Sequence, residues 1–173
     1  MRRLMPFGFA LLALFLAAPL APAAASDATL WRDWDAGLRV AGSLGRPVLV
    51  DVYTDWCGWC RRMDRDVYAR QDVRDYLTGH FVTVKLNAES SDGARYEGRS
   101  FSGRTLAARF RVTGYPTTIF LKPGGDHIFN VPGYVPADQF LLLLRYIGDG
   151  HQARGVPWDD YLSRATGGAG DGR

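Results

Sequence analysis

The chain holds two cysteines, and they sit together as Cys57-Gly58-Trp59-Cys60. Four chemistries are open to such a pair. A disulfide serving stability gains little here, because the loop it closes is very short and stabilisation grows with loop length. A zinc site needs two more ligands, and only His80, His127 and His151 are available, each isolated in sequence. Two inert buried thiols fit poorly with a Gly-Trp spacer at the start of a helix. A redox dithiol fits best, since a two-residue spacer brings both sulfurs onto one face of a first helical turn. The unpaired N–H groups and the macrodipole of a helix N-terminus favour an anion there and lower a thiol's pKa. Cys57, at the helix start, is therefore expected to be the exposed attacking thiolate. Cys60, one turn on, is expected to be shielded and to resolve the mixed disulfide.

Asp51 is the other residue that stands out. It interrupts the apolar, β-branched run Val48-Leu49-Val50-Asp51-Val52-Tyr53, and a carboxylate buried there costs free energy unless its pKa rises. A solvent-facing position on a half-buried strand is the bland alternative. Lys85, in Val84-Lys85-Leu86-Asn87, is read either as its partner or as an exposed strand lysine.

These residues need elements to position them. Leu30, Trp31, Trp34, Leu38 and Ala41 recur at helical spacing, with Ser26, Asp27 or Thr29 as N-cap, and the helix should end within 42–45. The apolar run 48–53 is a buried strand leading straight into the cysteines. A helix is expected over 58–69 and a shorter one over 72–77. A second strand follows at 81–86, and residues 88–102, mostly polar, read as a loop excursion. A short helix at 105–110 precedes Gly114-Tyr115-Pro116. Strands at 117–121 and 127–131 flank the turn Pro123-Gly124-Gly125-Asp126 and form an antiparallel hairpin. A closing helix spans 138–147, residues 158–162 dock, and residues 167–173 fray. Alternating strands and helices imply parallel pairs with crossover helices, and the late hairpin adds antiparallel strands. The fold class is α/β, a central mixed β-sheet flanked by helices on both faces.

The first 25 residues read as an address. A basic start (Arg2, Arg3), twelve residues from Phe7 to Ala18 that are apolar apart from Gly8, and Ala23-Ala24-Ala25 make a secretory signal peptide. The apolar run is bracketed by Pro6 and Pro19, too short for a membrane span of roughly 20 residues. The expected division is a signal peptide at 1–25, one domain at 26–150 and a partly disordered tail at 151–173. Without Arg2 and Arg3 the 21 basic residues fall to 19 against 18 acidic. That balance excludes an electrostatic nucleic-acid binder, which needs a clustered basic footprint.

The segment from Val50 to Cys60 resembles the active site of the thioredoxin superfamily, and Gly114-Tyr115-Pro116-Thr117 resembles its cis-proline loop. The similarity spans about 47–147 and is nearest to exported, periplasmic thioredoxin-like disulfide reductases such as the C-terminal domain of DsbD. It implies the thioredoxin fold and a cis Pro116 beside the dithiol, where it keeps metal out and offers a backbone edge to substrate. It implies that Asp51 takes a proton from Cys60, that Lys85 partners Asp51, and that Tyr115 shapes substrate contact. Trp56 matches the tryptophan before the first cysteine and should pack under the site. Trp59 should be exposed toward partners. The Gly-Trp spacer departs from the Gly-Pro of cytoplasmic thioredoxin. The expected function is an exported, monomeric thiol–disulfide oxidoreductase, needing no metal or organic cofactor, that reduces protein disulfides and is recharged by a membrane electron-donor protein. A disulfide-donating oxidase, a non-catalytic binding module or chaperone, and a metal-delivery protein are the alternatives.

Overall fold

The structure is a computed structural model, and it describes residues Leu30–Gly167. The expected signal peptide, the three expected N-caps and residues 168–173 lie outside the described residues. The chain orders as β1 (Trp31–Arg32), α1 (Trp34–Leu44), β2 (Val48–Tyr53), α2 (Gly58–Met63), a π-helical turn (Asp64–Tyr68), α3 (Gln71–His80) and β3 (Val82–Asn87). It continues through β4 (Gly93–Tyr96), β5 (Arg99–Ser102), α4 (Gly103–Arg109), β6 (Thr117–Leu121), β7 (His127–Pro132), α5 (Ala137–Gly148) and α6 (Trp158–Gly167).

Five strands form one mixed sheet in the order β1-β3-β2-β6-β7. β1, β3 and β2 run parallel, and β6 and β7 are added antiparallel. Side chains alternate across the sheet, so β2 sends Val48, Val50 and Val52 to one core and Leu49 to the other. The first core is closed by α1 and α4, with Trp34, Ala41, Leu106 and Phe110 buried in it. The second is closed by α2, the π turn, α3, α5 and α6, around Met63, Leu77, Phe120 and Phe140. Asp51 shares its face with Leu49 and so points into the second core.

Several boundaries differ from the sequence reading, and four of the differences bear on packing. Leu30 and Trp31 have helical spacing to Trp34, but Trp31 and Arg32 are extended and pair with Thr83 and Val84. The first helix therefore starts after Asp33, whose carboxylate accepts from Ala36 N at 2.7 Å. The helix expected over 58–69 widens at Asp64, where Ala69 N bonds back to Asp64 O at 2.9 Å, five residues earlier. The third helix runs through His80, past Gly79, and α6 extends from Trp158 well beyond the short docking segment expected. Its Tyr161 is buried, with Trp158 and Tyr161 both packed on Tyr146.

The excursion at 88–102 is not a loop: it holds the hairpin β4–β5, turned by Glu97 and Gly98 at φ 49° and 74°. Two consecutive positive φ values are the hallmark of a tight type I′ hairpin turn, usually flagged by Asn or Asp before the glycine. Glu97 hides that signal. The hairpin is tied down by Trp34 Nε1 donating to Arg95 O (3.0 Å) and Arg95 N donating to Asp35 (2.7 Å). Gly103 then passes so close to the end of β3 that an added Cβ would lie 2.1 Å from Asn87 O. The obstacle is backbone, which cannot swing aside. Gly103→Ala is expected to lower stability by about 1–3 kcal/mol, the usual cost of overpacking, in urea denaturation. A variant as stable as the parent would show that this junction relaxes freely.

Candidate functional site

Strand β2 ends at Tyr53, and Cys57 N bonds back to Thr54 O at 3.1 Å, turning the chain into α2. Cys57 occupies the N-cap with an extended backbone, and its Sγ accepts from Cys60 N at 3.0 Å. The two cysteines are joined in a disulfide with Cα atoms 5.3 Å apart. The exposed Cys57 expected from sequence is not seen in this state: Cys57 is 4% and Cys60 3% exposed. Each sulfur caps the other, so position in the helix, rather than accessibility, distinguishes them. The helix-terminal N–H groups bear on Cys57, while Cys60 sits inside the first turn.

Two tryptophans lie next to the cysteines in sequence, each in contact with a tyrosine. Trp56 does not pack under the site. It is 65% exposed, its ring set edge-on to Tyr115 at 6.0 Å and its Nε1 donating to Glu89 at 3.1 Å. The side chain is held on the surface because its indole N–H finds a carboxylate there. Trp59 is 54% exposed and leans on Tyr134 at 5.7 Å. The Arg62 guanidinium lies over both rings, 5.1 Å from each. The Tyr115–Pro116 peptide is cis, and Pro116 O accepts from Gly133 N at 2.8 Å.

A polar row crosses the second core behind this surface. The sheet register sets Asp51 opposite Lys85 on β3 and opposite Thr118 on β6. Asp51 is 1% exposed. Lys85 Nζ reaches its Oδ2 at 2.5 Å, and Tyr68 OH donates to its Oδ1 at 3.3 Å. The same ammonium reaches Asp64 Oδ1 at 2.5 Å. Burial holds the Asp51 carboxyl above the ordinary carboxylate range, although Lys85 pulls the other way. Burial also draws Lys85 downward, but its two carboxylates outweigh this and hold it above the usual lysine value. Burial, and next the charge of Asp51, push the Tyr68 phenol far up. Lys85 is thus only partly exposed and paired, which decides between its two sequence readings.

Asp64 and Tyr68 escaped the sequence reading. The signal for Asp64 was present: it lies four residues after Cys60, one helical turn along the same face. Tyr68 follows four residues later again, but the π turn changes the register between them and no spacing rule finds it. Among the described residues no cluster of three His, Cys, Asp or Glu side chains is grouped to hold a metal.

The arrangement is a disulfide at a helix N-terminus, with a buried carboxyl on the strand feeding it and a cis-proline loop whose Tyr115 touches Trp56. The chain is 36% identical to the thiol:disulfide interchange protein DsbD of Ralstonia nicotianae over 113 residues, 64% of this chain and 17% of that protein. It is 33% identical to DsbD 2 of Pseudomonas aeruginosa, again covering 62% of this chain and 17% of the relative. The chain thus matches only about a sixth of the length of these relatives. Among solved structures it is similar to a thioredoxin-fold protein from Helicobacter pylori (TM-score 0.62, 26% identity, 70% of this chain and 80% of that one). It is also similar to a thioredoxin from Thermus thermophilus (TM-score 0.59, 28% identity, 72% and 91%). The sequence model of the thioredoxin-like domain matches residues 34–148, from the first turn of α1 to the end of α5. With the Cys57–Cys60 disulfide inside that span, the chain belongs to the thioredoxin-like domain family and is a thiol–disulfide oxidoreductase domain.

Proposed function

We propose that this protein is an exported disulfide reductase working through Cys57 and Cys60. The observation that carries the reading is the Cys57–Cys60 pair at the start of α2, fed by a strand whose only charged residue, Asp51, is buried. In the reduced protein the Cys57 thiolate attacks a substrate disulfide. One substrate sulfur leaves as a thiolate and a mixed disulfide forms. Asp51 accepts the proton of the Cys60 thiol, and the Cys60 thiolate attacks Cys57 Sγ. The second substrate thiolate departs, and Cys57 and Cys60 carry the resulting disulfide. Two electrons have moved to the substrate, and a dithiol donor, proposed to be a membrane electron-transfer protein, restores the pair by the reverse exchange.

Lys85 sets the charge around Asp51. Trp56 and Trp59, next to the cysteines in sequence, offer exposed aromatic surface to the substrate, and Tyr115 and Pro116 line its path. The reducing direction rests on the Gly-Trp spacer, which supplies no histidine to stabilise a strongly acidic thiolate of the kind oxidants use. Export rests on the basic, apolar and small-residue pattern of residues 1–25, and the mature chain acts as a monomer on protein disulfides.

The deciding measurement is the equilibrium potential of the Cys57–Cys60 couple in glutathione and dithiothreitol buffers. A value near that of thioredoxin, about −270 mV, is expected. A value near that of a periplasmic oxidant, about −120 mV, would reverse the direction. Absence of a reversible two-electron transition would remove the enzymatic reading altogether.

A further inference from the structure

Lys85 sits in a setting that an Asp–Lys pair does not require. Its ammonium lies 4.7 Å from the centroid of the Trp31 ring, 5.1 Å from Tyr53 and 5.5 Å from Tyr68. Three aromatic faces therefore surround one cation that also bonds two carboxylates at 2.5 Å each. Tyr53 comes from β2 and Tyr68 from the π turn, both near the redox centre. Trp31 comes from elsewhere: β1, a two-residue strand on the edge of the sheet, paired only to β3.

The register explains how an edge residue reaches the centre. Trp31 pairs with Thr83, and Lys85 lies two residues further along β3, on the same face. The Trp31 ring stands edge-on against Tyr68 at 4.8 Å, which fixes its orientation. β1 is held in place by the Thr83 hydroxyl, which donates to Leu30 O. Among the described residues, the charges that act on the ammonium are Asp51 on β2 and Asp64 on the π turn, and the titratable rings beside it are Tyr53 on β2 and Tyr68 on the π turn.

We infer that Trp31 is a positioning residue: its ring closes the aromatic cage that holds the Lys85 ammonium between Asp51 and Asp64, and so fixes the charge against which Asp51 works. A cation over an aromatic face gains more when it is shielded from water, and the Lys85 side chain is only 21% exposed. Without the Trp31 face the flexible four-carbon stem of Lys85 can let its ammonium swing toward solvent and Asp64, leaving Asp51 less compensated. Asp51 then holds its proton to higher pH. For catalysis this rests on the proposed role of Asp51 as proton acceptor, but its direct consequence is read without any turnover.

The experiment follows the Asp51 Cγ resonance by carbon NMR across pH in the oxidised full-length protein. Trp31→Leu should move the Asp51 titration upward by at least about 0.3 unit, a modest share of a cation–π contact. Trp31→Phe, which keeps an aromatic face, should move it less. In a Lys85→Met background, Trp31→Leu should add nothing. Because Trp31→Leu could unfold the edge strand, fluorotryptophan incorporation gives a shape-preserving arm. It drains the ring face of electron density and should shift Asp51 upward in the parent but not in Trp31→Phe. An unmoved titration in both arms overturns the inference. So does a shift of the same size in the Lys85→Met background, which would mean that Trp31 acts by covering Asp51 rather than through the lysine. A protein whose Asp51 shifts as expected but which shows no disulfide exchange would refute the proposed function and leave this inference standing.

Discussion

Cys57→Ala protein will show no disulfide exchange above the uncatalysed rate, a loss on the order of 10³-fold or more, while Cys60→Ala will become trapped on its substrate. The asymmetry follows from where each sulfur sits. Cys57 is the N-cap of α2, and in the oxidised protein its Sγ already accepts the Cys60 N–H at 3.0 Å. After reduction the same N–H is placed to stabilise the Cys57 thiolate, so this sulfur makes the first attack. Cys60 lies within the helix, and its task is to attack Cys57 once the mixed disulfide exists. Loss of fold cannot imitate the result. The chain-entropy relation gives a four-residue loop a stabilisation of only about 2 kcal/mol, too little to unfold a domain with two well-packed cores. Turnover of a model protein disulfide and intact-mass analysis of the products test the prediction together. If Cys57→Ala forms the stable adduct, or if both single variants turn over alike, the assignment of roles is wrong.

The parts of this site visible in sequence are those carried by a single chain segment. The run 48–53 and the Cys57–Cys60 spacing announce a buried strand entering a helix, and Asp51 shows because a charge interrupts an apolar run. What stayed hidden depends on contacts between distant segments. Trp31 has helical spacing to its neighbours, yet pairing with Thr83 makes it a strand residue. Trp56 fits a buried position by resemblance, but Glu89, on a segment 33 residues away, offers its indole a surface partner. The hairpin at 93–102 is polar enough to read as a loop, because it packs through a few anchors such as Ala94 and Tyr96 rather than a continuous apolar face. Asp64 is the intermediate case. Helical spacing points it toward the face of Cys60, but only the sheet register, with Lys85 directly opposite Asp51, reveals that the two carboxylates share one cation.

That shared cation makes Asp51→Asn an informative substitution, because activity and stability should move in opposite directions. Burial raises the Asp51 pKa in the folded protein above its value of 3.8 in an unfolded chain, even with Lys85 opposing it. The native state therefore binds this proton more tightly than the unfolded state does. The stability this contributes is complete below pH 3.8 and is lost as pH rises through the higher native value. Asparagine resembles the protonated acid in shape and charge and escapes that loss. Breaking a buried ion pair normally costs several kcal/mol by stranding its partner, but Lys85 keeps Asp64 at 2.5 Å. Asp51→Asn should thus be more stable than the parent at pH 7, with the gap closing toward pH 4. Lys85 adds its own term far from this window, since its raised pKa supports the fold until pH climbs through that alkaline value. Exchange should meanwhile slow about 10²-fold, the usual contribution of a positioned proton acceptor, and the defect should lie in resolution, so that mixed disulfide builds up. Urea denaturation at pH 4 and 7, with stopped-flow kinetics of a single turnover, separates the two effects. A variant that is less stable at pH 7 yet exchanges at the parent rate would show that Asp51 is held for the fold alone.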